Sequence, residues 1–330
     1  MRRRDVLAYG GAAMAAPALA PFSAFAQSKY PDRPVRFIVP FPPGGAFDYI
    51  GRPWAERIKA HVGNTMVVEN MGGAGGGIGA AFVTRQKPDG YTLLLGGATT
   101  HITEGLLKTR PTYDPLKELE PVSGIAVTAF AITVHPSVPA KDLKELIAHV
   151  KANPGKLSYG SAGHGSLNHL TGELFKLRAG ITDLPHVAYR GAGPALNDIL
   201  AGQIPMIVPA MTAIVQQHHD AGRLRVLAVT HGSRLKAAPH LPTAVEQGFP
   251  DVVAPNFIGV YFPAGTPKAI IDHVAAANQK LMADKSWQEF LVKGTFEVEP
   301  PLSTAQYKKY VEDEMKRWGP IVKTMGIKID

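Results

Sequence analysis

The chain contains 330 residues, of which 45% are hydrophobic and 19% are charged, and its formal net charge at pH 7 is +8. This composition is typical of a globular protein long enough for two hydrophobic cores, and it argues against disorder beyond the N-terminus. The chain has no cysteine, which excludes disulfides and thiolate chemistry, and its basic residues form no stripe with interleaved aromatics of the kind that binds nucleic acid.

The first residues have the three parts of an export signal. Arg2, Arg3 and Arg4 form a basic start, residues 6–20 are apolar, and Ala24-Phe25-Ala26 provides a cleavage site of the A-x-A type. We therefore predict a signal peptide at residues 1–26 and a periplasmic location for the mature protein. The pair Arg3-Arg4 favours the twin-arginine export route over general secretion.

Short apolar runs then alternate with segments of helical periodicity, which is typical of an α/β protein with mostly parallel sheets. Strands are predicted at residues 35–40, 66–69, 91–96, 128–134, 157–160, 205–209, 224–230 and 258–262. Helices are predicted at residues 48–60, 78–86, 142–152, 167–179, 194–201, 212–221, 242–247, 267–283, 286–293 and 304–325.

The middle of the chain has its own set of strands and helices between proline-rich connections. Pro136 and Pro139 lie at its entry, and Pro250 and Pro255 lie at its exit. This arrangement predicts a second domain, residues 132–253, inserted into a first domain that is built from residues 27–131 and 254–330. Two chain crossings between the domains would act as a hinge.

Two strand-to-helix junctions near the N-terminus are rich in glycine. Residues 38–48 lead from an apolar strand through Pro42-Pro43-Gly44-Gly45 to Asp48, and residues 67–85 have a similar run of glycines between a strand and a helix. Such turns present free backbone N–H groups at the carboxyl end of a strand, where a helix dipole favours an anion. The sequence therefore predicts a site that binds an anionic small molecule through main-chain donors.

Other kinds of site fit these motifs less well. Residues 75–80 match G-x-G-x-x-A, but the next strand ends in glycines and hydroxyls where NAD binding needs an acid. Residues 161–169 place serines beside histidines, yet they lack the G-x-S-x-G of a hydrolase because Tyr159 occupies the first glycine position. We predict no cofactor and no catalytic residue.

Several single residues have structural explanations that compete with functional ones. Asp48 is more often a helix cap than a ligand, and Ser166 is equally well explained as a helix cap or as part of an anion-binding turn. His218-His219-Asp220 and the pair of His164 and His169 lack the spacing of a zinc or iron site, so we predict no metal.

With these residues identified, the chain resembles the Bug-type periplasmic receptors of tripartite tricarboxylate transporters over nearly all of its mature length. The matching segments are residues 30–36, 39–48, 68–76, 87–94, 159–163, 189–198, 227–230 and 263–267. The resemblance implies a two-lobed type II periplasmic binding protein fold with a cleft and a hinge between the lobes. It leaves the solute open, because family members differ widely in what they bind.

In such receptors a carboxylate is held largely by main-chain groups and ordered water at the first turn, here Phe41 to Asp48. The opposite lobe closes over it with the turn that matches Ser161 to Ser166. We therefore expect the solute-binding residues to be Phe41, Gly44, Gly45, Asp48, Gly75, Thr99, Thr100, Ser161, Ala162, Gly163, His164, Ser166, His169 and Ala192. Phe41, Phe47 and Tyr49 mildly favour an aromatic carboxylate.

The resulting functional prediction is a periplasmic solute-binding protein that is not an enzyme. It would capture a small carboxylate, with aromatic acids and dicarboxylates as candidates, and deliver it to the membrane subunits of a tripartite tricarboxylate-type transporter. We expect a monomer. Two alternatives stay open: a sensory receptor that presents the carboxylate to a signalling partner, and a secreted α/β hydrolase with a carboxylate substrate.

Overall fold

The computed structural model describes residues 30–298 and 302–329. The strands are β1 (Val35–Val39), β2 (Met66–Asn70), β3 (Thr92–Gly97), β4 (Leu119–Thr128), β5 (Ala131–Val134), β6 (Tyr159–Ser161), β7 (His186–Ala188), β8 (Met206–Ile207), β9 (Arg225–Val229) and β10 (Asn256–Pro263).

The α-helices are α1 (Ala46–Val62), α2 (Gly77–Thr84), α3 (Ala98–Ile102), α4 (Leu143–Ala152), α5 (Leu167–Ala179), α6 (Ala192–Leu200), α7 (Ala213–Asp220), α8 (Lys268–Met282), α9 (Lys285–Lys293) and α10 (Thr304–Met325). A single 3-10 turn, Ala74–Gly76, precedes α2, and a wider π turn, Thr103–Leu107, continues α3.

The strands form two five-stranded sheets of the same design. The first has the order β2-β1-β3-β10-β4 and the second has the order β7-β6-β8-β5-β9. In each sheet four strands run in one direction and one strand, β10 or β5, runs against them. We call the part around the first sheet lobe one and the part around the second sheet lobe two. The prediction of an α/β protein with two lobes is therefore confirmed.

The core of lobe one explains why its strands form where they do. All six residues of β3 are buried, and Phe37 of β1 packs against Trp54 of α1 with ring centroids 4.9 Å apart. Such continuous apolar strands are typical of sheets that are covered by helices on both faces. The carboxyl ends of β1, β2 and β3 are thereby held rigidly at one edge of the sheet, and the turns that follow them have a fixed position.

Two chain segments connect the lobes. One is the short step from β4 to β5, and the other leads from the end of β9 to the start of β10. The two segments are tied together, because the backbone N–H of Phe130 donates to Oγ1 of Thr230 (3.1 Å) and the N–H of Thr230 donates to the carbonyl of Phe130 (2.8 Å). These crossings are the places where a change in the angle between the lobes would be absorbed.

Some predicted elements differ from the structure. Strand β4 was not predicted because Pro121 and Gly124 interrupt its apolar run, and β7 was not predicted because its three residues are at least partly exposed at a sheet edge. Helix α3 is too short to show a helical period. The predicted helix at residues 242–247 is wrong: this segment is a series of turns in which the N–H of Glu246 donates to Oγ1 of Thr243.

The predicted signal peptide, residues 1–26, lies outside the described residues. Within the part of the chain that the structure does describe, no helix is both long enough and apolar enough to cross a membrane.

Candidate functional site

A cleft between the lobes is lined by the turns that follow the strand ends. Its deeper part, which we call the phenylalanine pocket, has a volume of about 740 Å³. Residues of lobe one that line it are Phe41, Pro42, Pro43, Gly45, Ala46, Phe47, Thr99 and Asn256. Residues of lobe two and the hinge that line it are Phe130, Ala162, Asn168, Arg190, Gly191, Ala192, Gly193, Pro194 and Ala210.

The cleft continues into a wider part of about 1180 Å³, which we call the glycine pocket. It shares Phe41 and Arg190 with the phenylalanine pocket and adds Asn70, Tyr189, Gly163, His164 and the glycine-rich loop 72–76. Gly76 needs its positive φ of 94° and its lack of a side chain, because a Cβ there would lie 3.0 Å from the ring of Phe41. The loop therefore packs directly under that aromatic wall.

The first turn is held in place by Asp48, which lies behind it. Oδ2 of Asp48 accepts a hydrogen bond from the N–H of Gly44 (3.1 Å), and Oδ1 accepts from Nε of Arg52 and Nδ2 of Asn70 (both 2.9 Å). Nδ2 of Asn70 also donates to the carbonyl of Phe41 (2.9 Å). With both oxygens occupied and 8% of the residue exposed, Asp48 organises the turn and does not line either pocket.

Three of the helices that begin at the cleft start at a glycine, whereas α5, which also begins there, is capped by Ser166. The N-cap residues of α1, α2 and α6 are Gly45, Gly76 and Gly191, and none of these helices has a side-chain cap. By contrast, Asp142, Asp284 and Ser303 cap α4, α9 and α10, which do not line the pockets. The first N–H groups of α1 and α6 are thus left to bind a solute, and the helix dipole favours an anion at both ends.

On lobe two, Ser161 and Ser166 stabilise the turn between β6 and α5 from inside. Oγ of Ser161 donates to the carbonyl of Gly163 (3.0 Å), and Ser166 caps α5 by accepting from the N–H of His169 (3.3 Å). Oγ of Ser161 also lies 2.7 Å from Nε2 of His186. This is not a nucleophile and its base, because Ser161 is only 2% exposed and its hydroxyl proton is engaged by Gly163.

Three imidazoles cluster behind this turn. The rings of His169 and His186 stack with centroids 3.9 Å apart, and the ring of His164 lies 4.9 Å from that of His169. Burial, and then His186 and His164, lower the pKa of His169 to about 3, and burial, and then His164 and Lys176, lower the pKa of His186 to about 4. Both rings are therefore neutral at physiological pH.

Nitrogen atoms of these three histidines lie close enough together to suggest a metal site. The stacked geometry argues against one, because the planes of His169 and His186 diverge by only 19° and their lone pairs do not converge on one point. The N–H of Gly165 also donates to Nδ1 of His169 (3.1 Å), which leaves the proton on Nε2. In a second group, His219, Asp220 and His240, Nδ1 of His219 already accepts a hydrogen bond from the N–H of Val226 (3.2 Å).

The turn of lobe two also contacts lobe one directly. Oγ1 of Thr103 donates to the carbonyl of Gly165, and Cβ of any residue at position 75 would lie 4.0 Å from the backbone nitrogen of Ser166. The glycine-rich loop and the serine turn therefore face each other across the cleft.

The structure divides the expected solute-binding residues into two groups. Residues that line the pockets are Phe41, Gly45, Gly75, Thr99, Ala162, Gly163, His164 and Ala192. Residues that do not line them are Gly44, Asp48, Thr100, Ser161, Ser166 and His169. The second group stabilises the walls; for example, Oγ1 of Thr100 accepts from the N–H of Gly97 (2.9 Å) at the start of α3.

Sequence reasoning missed other residues of the cleft, notably Arg190, Gly191, Asn168 and Asn256. Arg190 and Gly191 follow β7, and because that strand was not predicted, the junction after it was not recognised as another strand-to-helix turn. Of the expected aromatic residues, Phe41 and Phe47 line the pocket with ring centroids 4.5 Å apart. Tyr49 instead stacks on Phe290, outside the cleft.

Comparison with known proteins agrees with this geometry. Residues 50–327 match the family model described as the tripartite tricarboxylate transporter family receptor. The chain is 35% identical over 303 residues to protein BugT of Bordetella pertussis, with 91% of each chain covered.

Solved structures of periplasmic proteins superpose on most of the chain. The periplasmic binding protein BugD gives a TM-score of 0.82 at 32% identity, with 91% of this chain and 99% of that chain covered. R. palustris Rpa4515 with adipate gives a TM-score of 0.84 at 31% identity over the same shares of the two chains. The predicted fold of a two-lobed periplasmic binding protein is confirmed.

Proposed function

Since the chain belongs to the tripartite tricarboxylate transporter receptor family, we propose that it captures a small carboxylate in the cleft and delivers it to the membrane subunits of such a transporter. Proteins of this family are solute-binding receptors, and this chain is one of them and not an enzyme. The candidate solutes are dicarboxylates and aromatic carboxylates.

The observation that carries the proposal is the uncapped start of α1. Gly45, Ala46 and Phe47 line the phenylalanine pocket, and the first turn of α1 has no side-chain cap that would compete for its N–H groups. Main-chain donors on a rigid strand-to-helix turn lose little conformational freedom on binding and require no buried charged side chain. A carboxylate is one of the anions that match such donors, and the related Rpa4515 was solved with adipate.

The transporter would distinguish the solute-bound receptor from the free one by the angle between the lobes. A solute that contacts both walls makes more contacts when the lobes are closed, and it shifts the population toward that form. A preference of ~3 kcal/mol for the closed form would change the ratio of closed to open molecules by more than a hundredfold. The membrane subunits would recognise the closed form.

Export to the periplasm through residues 1–26, by the twin-arginine route, is part of the proposal. The basic start and the A-x-A site support it, as does the likeness to periplasmic binding proteins.

The boundaries between the lobes are also part of the proposal. We place them at residues 131–132 and 253–254, and we assign the hinge to the two crossings that are joined by the hydrogen bonds of Phe130 and Thr230. The proposed working unit is the monomer.

Thermal denaturation of the chain from residue 27 tests the proposal. A ligand that binds only the native state raises the midpoint, so a panel of mono-, di- and tricarboxylates should give a shift with one subclass. Amino acids and NAD serve as control ligands. If no carboxylate raises the midpoint at millimolar concentration, carboxylate capture is wrong. Neighbouring genes for a sensor kinase, in place of membrane transport subunits, would support the sensory alternative.

A further inference from the structure

Lobe two presents a second set of main-chain donors to the phenylalanine pocket. Helix α6 begins at Ala192 after Gly191, whose φ of 144° and lack of a side chain leave the helix end open. Gly191, Ala192 and Gly193 all line the pocket. The start of α6 therefore faces the start of α1 from the opposite lobe, and each end favours an anion.

A cation lies beside the start of α6. Arg190 is the charged side chain among the described residues that line the phenylalanine pocket, and no acidic side chain lines it. The guanidinium is exposed, and the described part of the chain offers it neither an ion pair nor a hydrogen bond. It is therefore free to pair with a carboxylate through two parallel hydrogen bonds.

A buried amide in the same pocket lacks a partner. Asn256 is 3% exposed and lines the pocket, and its Oδ1 has no hydrogen-bond partner among the described residues. A buried polar group without a partner is costly, and native proteins rarely keep one. Because no protein bond fixes which end of this amide faces the pocket, its NH₂ group can turn to donate to an anion.

We propose that Arg190 and the start of α6 on lobe two, together with Asn256 of lobe one, form a second anion subsite, and that the solute is a dicarboxylate whose two ends bridge the lobes. The inference rests on the proposed function, in which the other carboxylate binds at the start of α1. Phe41, Phe47, Phe130 and Pro194 give the same pocket apolar walls. An apolar spacer, aliphatic or aromatic, fits such walls better than a hydroxylated one.

The test compares each dicarboxylate with its own monomethyl ester by calorimetry, using linear diacids of three to eight carbons and terephthalate. The ester keeps the length and the spacer but removes one negative charge. Wild type should bind the preferred diacid at least about tenfold more tightly than the ester, and Arg190→Gln should remove most of that difference while ester affinity changes little. Arg223→Gln, an exposed arginine of the same lobe outside the pockets, is the matched control.

Asn256→Leu separates a binding role from a structural one. Leucine has a similar volume and removes a buried polar group that lacks a partner, so this variant should be as stable as wild type or more so. It should nevertheless lose part of the preference for the diacid. Equal affinity of diacid and ester in wild type, or an equal loss of both in Arg190→Gln, overturns the second subsite while leaving carboxylate capture intact. Failure of wild type to bind either compound overturns the proposed function and this inference together.

Discussion

The backbone N–H of Gly165 donates a hydrogen bond of 3.1 Å to Nδ1 of His169, so this ring nitrogen must be unprotonated. The carbonyl of the same glycine accepts from Thr103 of lobe one. One residue, Gly165, thus joins the stacked, neutral histidines of lobe two to the contact between the lobes. We therefore expect stability to depend on the protonation of His169 and solute binding to depend on the bond from Thr103.

Acid should destabilise the protein through His169. Its pKa is lowered from the ordinary value near 6.5 to about 3 by burial, by His186 and His164, and by the nearby Lys176. A lowered pKa means that the unfolded chain binds the proton more readily than the folded chain. The contribution of neutral His169 to the free energy of unfolding is therefore complete above about pH 6.5 and is lost as the pH falls toward 3. At pH 5 the loss from this group is about 2 kcal/mol.

Urea denaturation of wild type and His169→Asn at pH 7 and pH 5 measures how much of the free energy of unfolding is lost through His169. The asparagine amide can still accept from Gly165 but does not titrate, so wild type should lose about 2 kcal/mol more than the variant between the two pH values. His61→Asn, an exposed position in the last turn of α1, should follow wild type. If wild type and His169→Asn lose the same free energy of unfolding between pH 7 and pH 5, protonation of this imidazole does not destabilise the fold.

Thr103→Val should weaken solute binding without touching the solute. The substitution keeps the shape of the side chain and removes its hydrogen bond to Gly165 across the cleft. A net hydrogen bond of about 1 kcal/mol corresponds to about a fivefold loss of affinity if the bond is stronger in the closed form. Thr84→Val removes a similar bond within α2, to the carbonyl of Ala81, and should leave affinity unchanged. Unaltered affinity in both variants would show that the bond between Thr103 and Gly165 does not contribute to closure of the lobes.

Asp48→Ala should mainly reduce stability. The change removes a carboxylate that accepts from Gly44, Arg52 and Asn70, and we expect a loss of roughly 2–3 kcal/mol in the free energy of unfolding. Asp272→Ala, which breaks an exposed pair with Lys268, should cost less than about 0.5 kcal/mol. A large loss of affinity in Asp48→Ala at unchanged stability would instead identify Asp48 as a contact of the solute.

Gly45→Leu should mainly reduce affinity and leave stability nearly unchanged, the opposite of Asp48→Ala. The φ of Gly45 is −87°, and a Cβ there would meet only the carbonyl of Pro42 at 4.0 Å, so the fold should tolerate the side chain. The leucine would block the approach of a carboxylate to the start of α1, and affinity should fall at least about tenfold. Gly232→Leu, in open space on lobe two, is the control. Wild-type affinity in Gly45→Leu would remove this turn from the site.

Local patterns were sufficient to predict the lobe-one half of the cleft. Each of the two strands is followed within a few residues by a glycine-rich turn, so both strand-to-helix turns could be recognised, and Phe41, Gly45 and Gly75 do line the pockets. The turn at Arg190 was not predicted, because the strand before it, β7, is short, exposed and at a sheet edge. Its stability depends on pairing with β6, which the local sequence does not reveal.

The sequence alone was enough to identify the α/β class, most of the helices and strands, and the preference for main-chain recognition of an anion, because these follow from periodicity and from glycine at strand ends. It did not show which hydroxyls and carboxylates face the cleft. Asp48, Ser161 and His169 have the chemistry of ligands, yet hydrogen bonds with Asn70, Gly163 and Gly165 engage their polar atoms in the walls. The partners that satisfy a polar atom come from distant parts of the chain, so only tertiary structure decides whether that atom is left for a solute.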